Sequence, residues 1–309
     1  MLYFKAQNDL LSPNLFLYKA IFFPLSFLLL LKAWLLAFVV SKHEENGANR
    51  KWPLCVALLL TLLFLPHILP NWQRSAQFSE AANQQGFSVA TFSAMTRSRN
   101  ANDIKSFIEQ HQPDILCLQE VTHNDLQTLS GLYPYQTQHG GSGLVILSQF
   151  PQQAIASDSE RRPLNSSIKN MVQSTALVLP NQRTVNILNV HMPRQYRQDG
   201  HSANALKSIQ WHLESNFPVI FCGDFNMTPH HTIYDYLTQQ LGLFDAQLSQ
   251  AWEYGFTFPS GNRRLSYFGI WLRIDYLFFR GFVNGETRVI NASNLSDHKA
   301  VLSTFLLAE

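Results

Sequence analysis

The 309-residue chain has no internal repeat and no low-complexity tract, and its composition is that of a folded protein. Cysteine is scarce. Of the three, Cys55 falls in an apolar run near the front, while Cys117 and Cys222 fall in predicted core strands, where a free thiol behaves as a small hydrophobe. A basic excess is also missing from most of the chain. Residues before Ala76 carry 7 Lys+Arg against 3 Asp+Glu, a net of +4, but from Ala76 onward the count is 16 against 18, a net of −2. That balance argues against tight, non-specific nucleic-acid binding, which needs a basic face. The glycine cluster Gly140–Gly143 leads into a strand rather than a helix, so it lacks the context of a phosphate-binding loop.

What the chain does have begins with two apolar runs, at about 20–40 and 52–69. A bilayer crossing takes about 20 apolar residues, and the two runs are near that length, the second at its short end. They predict a transmembrane helical hairpin within a membrane anchor of residues 1–70. A cleaved signal peptide fits less well, since the first run is long, starts late and has no small-residue cleavage site before Ser41. Lys42, Arg50 and Lys51 in the short loop between the runs equal in number Lys5, Lys19 and Arg74 of the flanking tails, but the loop packs its charges more densely, which tilts the expected topology towards loop inside and the remaining chain on the non-cytoplasmic side.

Residues 71–86 are polar and read as a linker. Behind it, strands alternate with helices and hairpins. Strands are expected near 87–92, 114–121, 144–147, 174–179, 184–191, 219–222, 273–279, 288–291 and 299–306, and helices near 102–112, 124–129 and 202–215. This pattern suggests an α/β domain over 87–309: two packed sheets covered by helices.

Polar residues cluster at the ends of those strands. Asp224 and Asn226 follow the strand that begins at Val219, and spacing of two puts both on one face of an extended chain. Gly223 before them permits close backbone approach. Glu120 closes Ile115–Glu120, His191 closes Val185–His191, and Ser296-Asp297-His298 precedes the last strand. Asp275 sits inside the apolar run Arg273–Phe279, where an unpaired carboxylate would cost several kcal/mol, so it needs a partner and a histidine is the natural one. Of the 16 cations after Ala76, 12 are arginine, the side chain that grips phosphate in a bidentate fork. Arg194, Arg197, Arg263, Arg264 and Arg273 flank the expected site, and Arg194, Arg197 and Arg273 are candidates to read substrate phosphate.

The ordered set Gln119-Glu120-Val121, His191, Gly223-Asp224-Phe225-Asn226, Arg273-Ile274-Asp275-Tyr276 and Ser296-Asp297-His298 resembles the endonuclease/exonuclease/phosphatase superfamily. The resemblance covers about Ser88 to Leu307. It implies a four-layered α/β sandwich with two mixed β-sheets, dependence on Mg2+ (with Mn2+ as the alternative), and hydrolysis of a phosphoester. By position, Glu120 would hold the metal and Asp297 would lie beside it. Asp224 would align and deprotonate the attacking water, Asn226 would donate to the phosphorus centre, His298 oriented by Asp275 would stabilise or protonate the phosphate or help to activate the water, and His191 would bind the phosphate or assist the leaving oxygen. The family's usual first-strand Asn is replaced by Ser93, whose hydroxyl is a weaker candidate metal contact.

The expected activity is therefore that of a membrane-anchored phosphoesterase, with nucleic acid or a phospholipid headgroup as substrate, in a bacterial-type inner or cell membrane. The alternative is a catalytically silent membrane protein that uses the same fold to bind a phosphorylated ligand or partner. The sequence points to no protein partner beyond the bilayer.

Overall fold

The computed structural model describes residues 30–40, 52–68, 86–94, 101–138, 143–155, 171–193, 201–213, 217–229, 231–250, 255–260, 271–291 and 296–307. The linker 71–86 lies outside the described residues except for Gly86. Residues 30–40 (α1) and Trp52–Ile68 (α2) are helical, and the indole Nε1 of Trp34 donates to Thr61 Oγ1 at 2.9 Å, so the two helices touch. Among the described residues no helix is long and apolar enough to cross a membrane. The second run stops at 17 residues, and the first half of the earlier run lies outside the described residues.

From Phe87 the chain builds two six-stranded sheets. The first runs in the order β11-β12-β1-β2-β4-β3, from Phe282–Ile290 (β11), Ala300–Leu307 (β12), Phe87–Ser93 (β1), Ile115–Gln119 (β2), Val145–Ser148 (β4) and Tyr135–Gln138 (β3). The second runs β5-β6-β7-β8-β10-β9, from Gln152–Gln153 (β5), Val172–Val178 (β6), Thr184–His191 (β7), Val219–Asp224 (β8), Asp275–Arg280 (β10) and Phe244–Asp245 (β9). Each sheet is mixed: β1 runs parallel to β2 and β7 parallel to β8, and the remaining pairs are antiparallel.

Strand alternation sorts the apolar residues into layers. Phe87, Val89, Ile115, Ile220, Leu277, Phe279 and Phe305 point between the sheets and form one core. Their neighbours one position away face outwards: Ala90, Phe92, Leu116 and Leu118 meet Ile104, Phe107 and Ile108 of the helix Ala101–His111 (α3). On the opposite side, Leu188, Val219, Phe221 and Phe278 meet Ala205, Leu206, Ile209 and Leu213 of the helix His201–Leu213 (α5), the short helix His123–Leu129 (α4) lying between in sequence. Each fully buried Leu, Ile or Phe contributes about 1.5–3 kcal/mol, so these three cores hold the layers together.

Two expectations need correcting. Cys117 of β2 and Cys222 of β8 are not free thiols: they form a disulfide across the sheets, between residues 105 apart in sequence. Gly223 is demanded more strictly than expected, because its φ is +149° and an added Cβ would fall 1.8 Å from the carbonyl oxygen of Val190 on β7. Only a residue without a Cβ lets β8 approach β7 this closely.

Candidate active site

The parallel pairing of β7 with β8 sets His191 opposite Asp224, and the antiparallel pairing of β8 with β10 sets Asp224 opposite Asp275. Three polar residues of the second sheet therefore share one edge. On the first sheet, Ser93 pairs with Gln119, which puts Glu120 at the same end. Ser296 Oγ donates to the Ser93 carbonyl at 2.6 Å and accepts from His298 N at 3.0 Å, bringing Asp297 and His298 to that edge as well.

The two edges meet at a seam. His298, carried by the first sheet, bonds through Nδ1 to Asp275 Oδ2 of the second at 2.9 Å and to Oδ1 at 3.1 Å. Its Nε2 lies 3.9 Å from Asp224 Oδ2. His191 Nε2 stands between the sheets, 3.8 Å from Glu120 Oε1 and 3.9 Å from Asp224 Oδ2. Asp275 thus has the histidine partner its burial requires. Glu120, with about a third of its side chain exposed, is the carboxylate most open to solvent, whereas Asp224 is 3 % and Asp275 0 % exposed.

Backbone strain marks the same residues. Glu120 and Asn226 have φ of +56° and +48°, a region that residues other than Gly enter at a cost of about 1–3 kcal/mol and that clusters at functional sites. For Asn226 the cost is offset by its N–H donating to Asp224 Oδ1 at 2.9 Å and its side-chain Nδ2 donating to Met192 O at 2.8 Å. Beyond Glu120, Thr122 and Asp125 cap α4 reciprocally and hold the turn.

Burial raises the pKa of Asp224 to about 6, with His298 opposing and Asp275 adding to the rise. For His298, burial favours the neutral ring, but Asp275 and then Asp224 outweigh it, so the imidazolium is favoured well above the ordinary histidine range. An acid pushed towards neutrality beside a cation is a suitable pair for proton transfer and charge stabilisation near pH 7.

Some of the supporting residues escape a reading of the sequence. Thr257 Oγ1 accepts from the backbone N–H groups of both Ile274 and Asp275 at 3.1 Å, and its carbonyl accepts from Lys299 N at 2.7 Å. The Phe258 ring lies 5.1 Å from the His298 ring, and Ser260 N donates to Asp297 O at 2.6 Å. One short segment therefore braces both sides of the Asp275–His298 pair. Beneath Glu120, Gln119 Nε2 donates to Asn189 Oδ1 at 2.6 Å, tying the sheets together. The signal for this tie was a polar residue two positions before His191 on the same strand face.

The arginines divide. Arg194 and Arg197 lie outside the described residues, as do Arg263 and Arg264. Arg273 was expected to read substrate phosphate, but it is buried, pairs with Asp245 and lies against the Tyr276 ring at 4.8 Å. Its cation is consumed in the core and braces the start of β10.

Asp224, Asp275 and His298 each place one ligand atom within 4.8 Å of the others. The donor chemistry at the seam fits a hard divalent cation, which takes carboxylate oxygens and retains waters. The buried Ser93 Oγ and Gln119 Oε1, neither with a hydrogen-bond partner among the described residues, add polar atoms at that edge.

The sequence profile of the Endonuclease/Exonuclease/phosphatase family matches residues 82–298. The chain belongs to this family. Solved structures agree in fold: an endonuclease/exonuclease/phosphatase from Bacteroides vulgatus is 18 % identical, with a TM-score of 0.54, covering 73 % of this chain and 100 % of its own. D. rerio TDP2 complexed with single-strand DNA product has 16 % identity and a TM-score of 0.54, covering 72 % of this chain and 100 % of its own. A mannosyl-6-phosphatase from Bacteroides thetaiotaomicron has 15 % identity and a TM-score of 0.54, again over 72 % of this chain and 100 % of its own. No curated protein matches the chain. Membership of the Endonuclease/Exonuclease/phosphatase family gives a phosphoesterase-type fold and a site of the kind that uses a divalent metal.

Proposed function

We propose that the protein is a membrane-anchored, Mg2+-dependent phosphoesterase that cleaves phosphodiester bonds by attack of water. The observation that carries this reading is the meeting of the Asp275–His298 pair with Asp224 and His191 at the seam between the sheets. Asp224 accepts the proton of the attacking water. His298, kept protonated by Asp275, faces the phosphoryl oxygens and balances their growing charge. Asn226 is fixed by Met192 O through one N–H of its carboxamide, and its second N–H is directed to the phosphoryl group. His191, the more exposed of the two histidines, stands at the rim where the leaving oxygen departs.

Glu120 and Asp297 would hold the metal in this reading, with the hydroxyl of Ser93, unpartnered among the described residues, beside them. Glu120 is the carboxylate that reaches solvent, and Asp275 is already engaged by His298 Nδ1. The metal, when bound, supplies Lewis-acid stabilisation of the phosphoryl oxygens. The outward-facing apolar side chains of α1 and α2 support membrane attachment of this enzyme.

The substrate is tested with the full-length protein in detergent, offered supercoiled plasmid and phospholipid vesicles in parallel with Mg2+, with Asp224→Ala beside it. Nicking lost in the variant selects nucleic acid; headgroup release lost in the variant selects lipid. Neither product from folded protein favours the rival reading, a phosphate-binding protein without turnover, for which Ser93 in the usual Asn position is the supporting observation.

A further inference from the structure

The disulfide between Cys117 and Cys222 belongs to no step of the proposed reaction, yet it lies directly behind the site. Cys117 is three residues before Glu120, and Cys222 two before Asp224. Both are fully buried in the core between the sheets, with Cα atoms 6.2 Å apart, within the range a disulfide spans without moving the backbone. Closing the bond removes two protons and two electrons from two thiols. A disulfide-bearing oxidant must accept those electrons, its own disulfide being reduced to a dithiol as exchange proceeds through a mixed disulfide. No such oxidant could reach sulfurs enclosed between closed sheets, so the exchange has to occur while β2 and β8 are coming together.

Disulfides of this kind form and persist in exported compartments and are rare in the reducing cytosol. On the membrane-anchor reading proposed above, Lys42, Arg50 and Lys51 crowd the short loop whereas Lys5, Lys19 and Arg74 are spread over the two tails, and a loop kept inside places the sandwich, which follows the second helix, outside. We infer that Cys117–Cys222 is a permanent cross-link introduced by a thiol-oxidising partner during folding, and that the sandwich therefore matures and works on the non-cytoplasmic side of its membrane. Cys55, exposed on α2, remains a free thiol.

The test uses the full chain in a bacterial host and needs no activity measurement. Cells are quenched in acid, the protein is denatured and alkylated with or without reductant, and cysteine peptides are weighed. Cys117 and Cys222 should be blocked until reductant is added, while Cys55 is alkylated in both samples; labelling of Cys117 and Cys222 without reductant would overturn the cross-link. In a second arm, protease is added to intact spheroplasts with an epitope placed after Glu309. The epitope should be lost before lysis, and its protection until lysis would overturn the placement. A protein that proves inactive on every phosphoester leaves both arms decisive, so failure of this inference and failure of the hydrolase reading are separable.

Discussion

The helices α1 and α2 and the sandwich use the same apolar residue types in opposite ways. Among the described residues, eleven of the fifteen exposed large hydrophobic side chains lie on the two helices, including Leu35 at 59 % and Leu36 at 67 %; the sandwich exposes only Tyr135, Phe217, Phe244 and Trp271. In the sandwich, strand alternation gives every apolar face a partner layer, and Phe92, Phe221 and Phe305 are fully enclosed. On α1 and α2 Trp34 meets Thr61, and Ala37 and Ala57 are buried, but most of the large apolar side chains described there face outwards. The lesson is that the same residue types are enclosed where strand pairing supplies a second layer and left outward-facing where it does not, and the proposed membrane attachment is what would cover the helices.

The comparison can be broken hardest at Gly223. Gly223→Ala puts a Cβ 1.8 Å from Val190 O, and we expect a loss on the order of 5 kcal/mol or more, enough to prevent the sandwich from folding while membrane association through the helices persists. Limited proteolysis of membrane fractions checks this. Next is the buried ion pair: Asp245→Ala strands the Arg273 cation in the core and should cost about 3–5 kcal/mol in chemical denaturation, without altering the helices. Thr257→Val keeps the shape but orphans the N–H groups of Ile274 and Asp275, for an expected loss of about 1–3 kcal/mol, and Thr257→Ser should recover most of it.

Proton linkage gives a smaller effect. His298 has a folded-state pKa raised from 6.5 to about 10, so its stabilisation is fully present below 6.5 and is lost as pH rises through about 10. The melting temperature of the sandwich in EDTA should fall across that window, and His298→Gln should flatten the fall. The smallest effect sharpens the contrast: Leu36→Gln, on the exposed face of α1, should leave the melting temperature of the sandwich unchanged while weakening membrane attachment.

Much of this was legible because strand periodicity and strand ends are local signals. The strand expected at 219–222 forms and runs on two residues to include Asp224, and the buried Asp275 has the histidine partner that its place in an apolar run called for. What was not legible depended on register. Cys117 and Cys222 read as small hydrophobes because nothing local says that their strands face each other across two sheets. Arg273 read as a phosphate ligand because its ion-pair partner, Asp245, lies 28 positions away on an edge strand of two residues. Thr257 gave no signal at all, since a threonine in an irregular segment has no periodicity to mark it.

The central claim is that the seam residues hydrolyse phosphoesters, and single-turnover cleavage of a chromogenic phosphodiester by the full-length protein in detergent tests it most directly. With Mg2+ present, Asp224→Ala and His298→Ala should each lower the rate by roughly 10²–10⁴-fold, and EDTA should abolish it in the unmodified protein. A rate that survives either substitution in folded protein would contradict the account.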